Sequence, residues 1–311
     1  MDVCGIPVLR GEKKKTSLHI QPGFFLPVWI VCGKAEGPTL VVTAGVHGCE
    51  FVGIQTVRQF YEKIDIESFC GQLVLVPMVN PSGFYHGAKQ IVPEDGKNLN
   101  RVFPGDENGS LSQQIAYAIE KKLYPWADFL LDLHGGDINE ELVPLVFFPV
   151  AASQKVQEIA KAAAMHLPVP YRVRSTARNG LYSHGVQCGV PALLLEIGSG
   201  GRWNAEEVSL CEKSLLRLMG YLGMGGAICI NEKQKEGVEG FYQDAPEKGF
   251  WYPLVKAGQT VAKGTKLGEL RSLDHCLLAE YSAEVDGIVW YYTTTLGVRK
   301  GDSLFAYGRC E

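Results

Sequence analysis

The sequence predicts an α/β protein, with helices on both faces of a mixed sheet, followed by a small all-β domain. Short apolar runs alternate with amphipathic segments from about residue 39 to residue 225, as expected for an α/β/α sandwich. The apolar runs are continuous rather than alternating, which favours strands buried on both faces. Beyond residue 225 the chain is rich in glycine, valine and aromatic residues with closely spaced turns, which favours a β-rich domain.

The elements of the first part follow from these patterns. Strands are expected at residues 39–43, 73–79, 129–133, 143–150 and 192–197. Helices are expected at residues 51–64, 111–124, 154–166 and 206–222. Apolar residues near helical spacing support the first helix, and Pro125 ends the second, because proline cannot continue a helix.

A domain boundary is predicted between residues 228 and 229. Gly225-Gly226 and the charged run 231–239 are interpreted as a linker. Beyond it, Val261 and Val298 each precede a Lys-Gly pair and an apolar strand, a repetition that resembles the barrel-sandwich fold of biotinyl and lipoyl domains. The hairpin near Asp274-His275 lacks the lysine that such carriers modify, so we do not expect residues 229–311 to be lipoylated.

Composition argues against several classes of partner. The chain has 311 residues, 46% of them hydrophobic, and a net charge of −4, so it offers no electrostatic footprint for nucleic acid. The lysines at 13–15 are predicted to form a solvated turn. The first fifteen residues contain no apolar stretch of signal-peptide length, and no uncharged run reaches membrane-spanning length, so we expect no membrane partner and a cytoplasmic location. Apolar turns near the C-terminus leave room for a homo-oligomer.

Three polar clusters directly follow apolar runs. They are His47-Gly48-Cys49-Glu50, Asp132-Leu133-His134 and Glu196. Two histidines and a glutamate are the ligand set of a catalytic zinc with one open position, and a further carboxylate suits a base. An HxxE pair alone is common by chance, and His134 alone fits a structural histidine. Their joint occurrence at successive strand ends favours the metal site.

Four motifs together resemble the succinylglutamate desuccinylase/aspartoacylase family, which belongs with the M14-type zinc carboxypeptidases. They are the His47–Glu50 cluster, the run NLNRVFPG at 98–105, DLHGG at 132–136 and LEIG at 195–198. The run from Pro93 through NLNRVFPG is most similar to the bacterial branch related to N-acetyl-diaminobutyrate deacetylase. The resemblance covers most of the chain and implies a zinc-carboxypeptidase-like catalytic domain at 1–228.

The resemblance implies a role for each matching residue. His47, Glu50 and His134 are expected to bind one Zn²⁺ per chain, and Glu196 is expected to be the general base. Asn100 and Arg101 match a pair that grips a substrate carboxylate, which agrees with the bidentate geometry of guanidinium. The alternatives are a structural ion pair for Arg101 and a capping or supporting carboxylate for Glu196.

Further residues are weaker candidates. Asp132 lies two before His134, on the same face of a strand, where it can orient a metal-bound imidazole. The related branch has an arginine where this chain has Lys89-Gln90, so Lys89 supplies a charge without the fork geometry. Arg178 and Arg202 are possible substitutes, and Tyr182 and His184 are possible pocket residues.

These expectations define a zinc-dependent deacylase that hydrolyses the amide bond of a small N-acyl amino acid or a similar N-acylated amine. Its partner is then a small-molecule substrate that carries a carboxylate. Two alternatives stay open at this point: a metallocarboxypeptidase acting on short peptides, and a catalytically silent zinc-binding protein. The residues leave the acyl group and the amine undefined.

Overall fold

The computed structural model describes residues 2–3 and 5–311. The strands are β1 (Asp2–Val3), β2 (Ile6–Pro7), β3 (Lys13–Gln21), β4 (Phe24–Cys32), β5 (Ala35–Ala44), β6 (Cys70–Val76), β7 (Phe129–His134), β8 (Glu140–Leu142), β9 (Leu145–Pro149), β10 (Tyr171–Ser175), β11 (Ala192–Glu196), β12 (Lys235–Asp244), β13 (Gly249–Pro253), β14 (Thr260–Val261), β15 (Lys266–Arg271), β16 (Leu277–Ser282), β17 (Gly287–Thr293), β18 (Gly297–Val298) and β19 (Ser303–Cys310). The α-helices are α1 (Phe51–Lys63), α2 (Pro81–His86), α3 (Leu111–Lys122), α4 (Gln154–Ala164), α5 (Leu181–Gln187) and α6 (Ala205–Tyr221). Short 3₁₀ helices lie at Leu99–Arg101 and Tyr124–Trp126.

The central strands are buried on both faces, as their continuous apolar runs predict. Successive side chains of a strand point to opposite faces of the sheet. In β5, Leu40 and Val42 therefore join the core beneath α1, α4 and α6, while Val41 joins the core beneath α3 and α5. The mixed α/β fold predicted from the sequence is confirmed.

The order of the strands brings three predicted strand ends to one edge. Within the described residues the large sheet runs β14-β17-β19-β12-β10-β9-β11-β7-β5-β6-β4-β3. Strands β5, β7 and β11 are parallel neighbours, so their carboxyl ends lie side by side. In this register Glu196 of β11 pairs with His134 of β7.

The C-terminal strands continue the central sheet. Strand β12 pairs in parallel with β10 and antiparallel with β19. The predicted linker is therefore wrong from residue 235 onward. Its charges are held in place, since Glu236 binds Arg172 and Arg174 of β10 with nitrogen–oxygen distances of 2.9 and 2.7 Å. The division between residues 228 and 229 remains a prediction.

A second, antiparallel sheet in the order β16-β15-β13-β18 completes the C-terminal region. Its Trp251 and Leu270 share one core with Tyr307 of β19. Val261 and Val298, the repeated valines of the sequence, are both buried in that core. The expected β-rich C-terminal unit is thus present, although it is joined to the large sheet by β12.

The lysines at 13–15 lie in β3 and not in a solvated turn. Their strand pairs with β4 along its whole length. The Lys13 ammonium donates to the carbonyl oxygen of Tyr61 at 2.8 Å, and the Lys15 ammonium lies 4.7 Å from the ring centre of Trp29. Long lysine stems cover apolar surface while the charge stays in water, so a basic run here is compatible with an edge strand.

Among the residues that the structure describes, none of the helices combines the length and the apolar character needed to cross a membrane.

Candidate metal centre

The two histidines and the glutamate of the predicted ligand set sit at the carboxyl edge of the large sheet. His47 follows β5, Glu50 immediately precedes α1, and His134 is the last residue of β7. The loop after β5 requires glycine at position 48, because a Cβ atom there would overlap the backbone of Gly83. This close approach of the loop to helix α2 holds His47 and Glu50 over the strand ends.

The three side chains converge on one point. His47 Nδ1 lies 2.6 Å from Glu50 Oε1, and His134 Nδ1 lies 2.8 Å from Glu50 Oε2. One ligand atom from each residue falls within 4.8 Å of the others, and all three residues are buried. Two imidazole nitrogens and a carboxylate oxygen are the ligands of a catalytic zinc that keeps one position open.

The other ring nitrogen of each histidine is held by an acceptor. His134 Nε2 lies 3.0 Å from Asp132 Oδ2, and Asp132 Oδ1 accepts a hydrogen bond from the Thr43 hydroxyl at 2.7 Å. His47 Nε2 lies 3.1 Å from Asn98 Oδ1, an oxygen that also accepts from the Asn100 backbone N–H. Acceptors at both Nε2 atoms place the protons there and leave both Nδ1 lone pairs facing Glu50. The residues present therefore fit a zinc ion.

The charges of the cluster agree with this donor set. Burial opposes ionisation of Glu50, but the attraction of His47 and His134 outweighs it and lowers the pKa of Glu50 to about 2. Burial, with the charges of Asp137 and Glu50, raises the pKa of the neighbouring Cys49 thiol to about 11. Glu50 is thus an anionic oxygen donor, while Cys49 stays protonated and lies near the Ala88 carbonyl.

Glu196 lies beside the cluster at the end of β11. Its Oε2 atom is buried and has no hydrogen-bond partner among the described residues. Burial raises its pKa to about 7; the charge of Glu50 adds to the rise, and His134 and His47 oppose it. A carboxylate that titrates near neutral pH is suited to accept and return a proton.

Two further acidic residues near this site were missed by sequence reasoning. Burial raises the pKa values of Asp137 and Glu140, and the charge of Glu50 raises both further. Lys89 opposes the rise at both carboxyl groups, so its ammonium lies close enough to act on them. The sequence signal that could have identified Asp137 is its position, because it directly follows the two glycines after His134.

Asn100 and Arg101 lie in the 3₁₀ turn that follows Asn98. Asn100 is buried, and its side-chain oxygen accepts a hydrogen bond from the backbone N–H of Leu181 at 2.8 Å, where α5 begins. Arg101 is exposed and donates from Nη1 to the Asn100 carbonyl at 2.8 Å. Their contact with a substrate carboxylate stays a prediction.

The weaker candidates lie in different surroundings. Asp132 makes the expected contact with His134, and buried Tyr182 lies within electrostatic reach of Asp132. Arg202 is exposed and acts on Glu207 at the start of α6.

Two candidates named beside them lie elsewhere. Arg178 lines a separate cavity together with Cys188 and Gly189. His184 binds Glu120 of α3, with 2.8 Å between Nε2 and Oε2.

Comparison with known proteins places this geometry in a family. The family model described as "Succinylglutamate desuccinylase/Aspartoacylase catalytic domain" matches residues 36–222. The N-alpha-acetyl-L-2,4-diaminobutyric acid deacetylase of Halomonas elongata is 28% identical over 293 residues, covering 90% of this chain and 84% of that protein.

Solved structures share the whole architecture. The product-bound ectoine utilization protein EutE (DoeB) from Ruegeria pomeroyi is 25% identical with a TM-score of 0.86, covering 97% of each chain. A succinylglutamate desuccinylase/aspartoacylase structure from Rhodobacter sphaeroides, 24% identical, shares the fold with a TM-score of 0.85 over 100% of this chain and 98% of that one. Because the family model spans residues 36–222 of 311, a range that includes all four motifs identified in the sequence, the chain belongs to the succinylglutamate desuccinylase/aspartoacylase family.

Proposed function

We propose that this protein is a zinc-dependent deacylase that hydrolyses the amide bond of a small N-acyl amino acid or a similar N-acylated amine. The observation that carries the proposal is the buried His47–Glu50–His134 cluster, with both Nδ1 atoms directed at Glu50 and the unpartnered carboxylate of Glu196 beside it. The name of the Halomonas relative, an N-alpha-acetyl-L-2,4-diaminobutyric acid deacetylase, supports the same reaction class.

His47, Glu50 and His134 would hold one Zn²⁺ per chain. When bound there, zinc polarises a carbonyl oxygen and acidifies a water molecule. The chain itself makes the site rigid, because Asn98 and Asp132 hold the two imidazole rings through their Nε2 atoms, on the side away from Glu50.

Glu196 moves the proton in this mechanism. As a carboxylate it takes a proton from the attacking water and then gives it to the departing amine nitrogen. Both transfers need a group whose pKa lies near the working pH, and the pKa of about 7 given to Glu196 by burial meets that requirement.

Arg101 and Asn100 would orient the substrate through its carboxylate. The Arg101 guanidinium is exposed and donates one hydrogen bond, from Nη1 to the Asn100 carbonyl. Its remaining N–H groups suit a carboxylate bound through two oxygens. Lys89, which acts on Asp137 and Glu140, would place a positive charge near the scissile carbonyl.

The test is the variant Glu196→Gln in zinc-loaded protein. We expect zinc content to stay unchanged and hydrolysis of N-acyl amino acids to be lost, because glutamine keeps the shape but accepts no proton. Glu141→Gln is the matched control, since Glu141 accepts a hydrogen bond from the Tyr292 hydroxyl at 2.8 Å, in the strand β8 that pairs with β17. Full turnover by Glu196→Gln contradicts the assignment of the base.

A substrate panel separates this proposal from its rivals. N-acyl amino acids and short peptides are offered to the same zinc-loaded preparation. Hydrolysis of the N-acyl amino acids supports the deacylase. Hydrolysis confined to peptides favours a carboxypeptidase, and zinc binding without any hydrolysis favours a silent zinc-binding protein.

A further inference from the structure

A second cluster of metal-ligating side chains lies outside the site described above. Glu120 projects from α3, His184 lies in α5, and Cys188 caps the end of α5 one helical turn later, with its backbone N–H bound to the His184 carbonyl at 3.0 Å. One ligand atom from each of the three falls within 4.8 Å of the others. The His184 imidazole has Glu120 Oε2 at 2.8 Å and the Cys188 sulfur at 3.4 Å.

The geometry distinguishes this cluster from a nucleophile–base–acid triad. In such a triad, the acid and the nucleophile contact opposite nitrogens of the imidazole ring. Here the carboxylate and the sulfur both contact Nε2 of His184. A carboxylate oxygen, an imidazole nitrogen and a sulfur that lie within 4.8 Å of one another on one side of the ring are placed to share a metal ion.

The separations suit a tetrahedral ion. Zinc binds sulfur at about 2.3 Å and nitrogen or oxygen at about 2.0–2.2 Å, which sets tetrahedral ligand atoms about 3.3–3.6 Å apart. The sulfur–nitrogen distance of 3.4 Å already lies in that range. The nitrogen–oxygen distance of 2.8 Å requires an opening of about half an ångström, which rotation of the Glu120 side chain can provide.

The position of Cys188 leaves the site open to solvent. Cys188 is a free, exposed cysteine that lines a cavity of about 480 Å³. Water from this cavity can fill a fourth coordination position. The second Glu120 oxygen is bound by the Lys121 ammonium at 2.7 Å, so Oε2 is the oxygen available to an ion.

We propose that Glu120, His184 and Cys188 form a second zinc site, which binds a thiophilic divalent cation through one sulfur, one nitrogen and one oxygen. Binding replaces the thiol proton of Cys188, which passes to solvent. The bound ion joins α3 to α5. Since Asn100 accepts a hydrogen bond from the first residue of α5, the ion also stabilises the helix against which the 3₁₀ turn Leu99–Arg101 packs.

Cobalt binding tests the proposal, because a thiolate ligand gives Co²⁺ a charge-transfer band that a His₂-Glu site lacks. Chelator-treated protein is titrated with Co²⁺, and we expect about two equivalents to bind. The charge-transfer band is expected to grow only while Co²⁺ fills the site that contains Cys188. Cys188→Ser is expected to lose the band and about one equivalent, and Glu120→Gln to weaken the same step. Cys49→Ser is the matched control, because Cys49 adjoins the first cluster, and it is expected to keep the band.

The result that overturns the proposal is a wild-type protein that binds one equivalent without the band, or a band that survives Cys188→Ser. A band lost in Cys49→Ser and kept in Cys188→Ser assigns the sulfur to the first cluster and also refutes the second site. These outcomes are independent of amide hydrolysis, so they stand apart from the test of Glu196.

Discussion

Replacing Asp132 by asparagine tests whether the contacts behind the histidines set metal affinity. Asp132 is fully buried, and its two oxygens contact His134 Nε2 at 3.0 Å and the Thr43 hydroxyl at 2.7 Å. Asparagine preserves the shape and the acceptor toward His134 but removes the charge. A hydrogen bond to a charged group contributes about 1.5–3 kcal/mol and a neutral one about 0.5–1.5 kcal/mol. The difference of about 1–1.5 kcal/mol predicts roughly tenfold weaker zinc binding.

The assay is competition for Zn²⁺ with a chromophoric chelator, followed by turnover at saturating zinc. We expect the dissociation constant to rise about tenfold while kcat at saturation is largely kept, because Glu196 is untouched. Asp128→Asn is the matched control: Asp128 precedes the opposite end of β7, where it accepts from the Thr39 backbone N–H at 2.8 Å. Unchanged zinc affinity in Asp132→Asn, or an equal loss in Asp128→Asn, refutes the reasoning.

Three further outcomes follow from the structure. The rate of hydrolysis should fall on the acid side of a pH–rate profile, because the base must be unprotonated. Burial raises the pKa of Glu196 to about 7 and a bound cation lowers it, so we expect the limb between pH ~5 and ~7; a rate that is flat down to pH ~5 contradicts the assignment. Gly48→Ala should lower the free energy of unfolding by about 2–4 kcal/mol in urea unfolding and weaken zinc binding, because the new Cβ overlaps the Gly83 backbone. If stability and zinc affinity both stay at wild-type values, the loop at Gly48 does not position His47 and Glu50. Glu236→Gln should lower the free energy of unfolding by about 2 kcal/mol at pH 7. Burial opposes ionisation of Glu236, but Lys161, Arg174 and Arg172 lower its pKa to about 2. Since this folded-state pKa lies below the ordinary value, the stabilisation is full above pH ~4.5 and is lost as pH falls toward 2, so equal unfolding curves at pH 7 would contradict it.

The convergence of His47, Glu50 and His134 was predictable, because local spacing and the ends of buried strands determine where these side chains lie. A histidine and a glutamate three residues apart meet wherever the chain turns tightly after a strand, as it does at Gly48. His134 ends a fully buried strand, whose apolar run identifies it. The parallel order β5-β7-β11 then brings the separate motifs to one edge.

Other parts of the fold could not be read from pattern alone. Strand β12 begins in a charged run, and its Glu236 is buried only because Arg172 and Arg174 of β10 meet it across the sheet. Such pairing depends on residues about 60 positions away. For the same reason, the charges of β3 predict a turn, whereas pairing with β4 makes a strand.

The contacts of Asn98 could not be predicted from the spacing of residues in the sequence. The sequence places Asn98 within a motif, but its contact with His47 depends on how the 3₁₀ turn packs against the loop after β5. One side-chain oxygen both shapes that turn, through the Asn100 N–H, and orients the imidazole. The 3₁₀ turn and the candidate metal cluster are therefore joined through a single side chain.

The register of the sheet sets the position of Glu196 relative to the candidate metal ligands. His134 and Glu196 are paired neighbours in adjacent parallel strands, so their separation depends on the spacing of the strands and not on the length of the chain between them. A slip of one residue in β11 would turn Glu196 to the opposite face of the sheet. The burial of Leu193 and Leu195 in one core and Leu194 in the other prevents that slip. The apolar run that identifies the strand thus also aims its final carboxylate at the cluster.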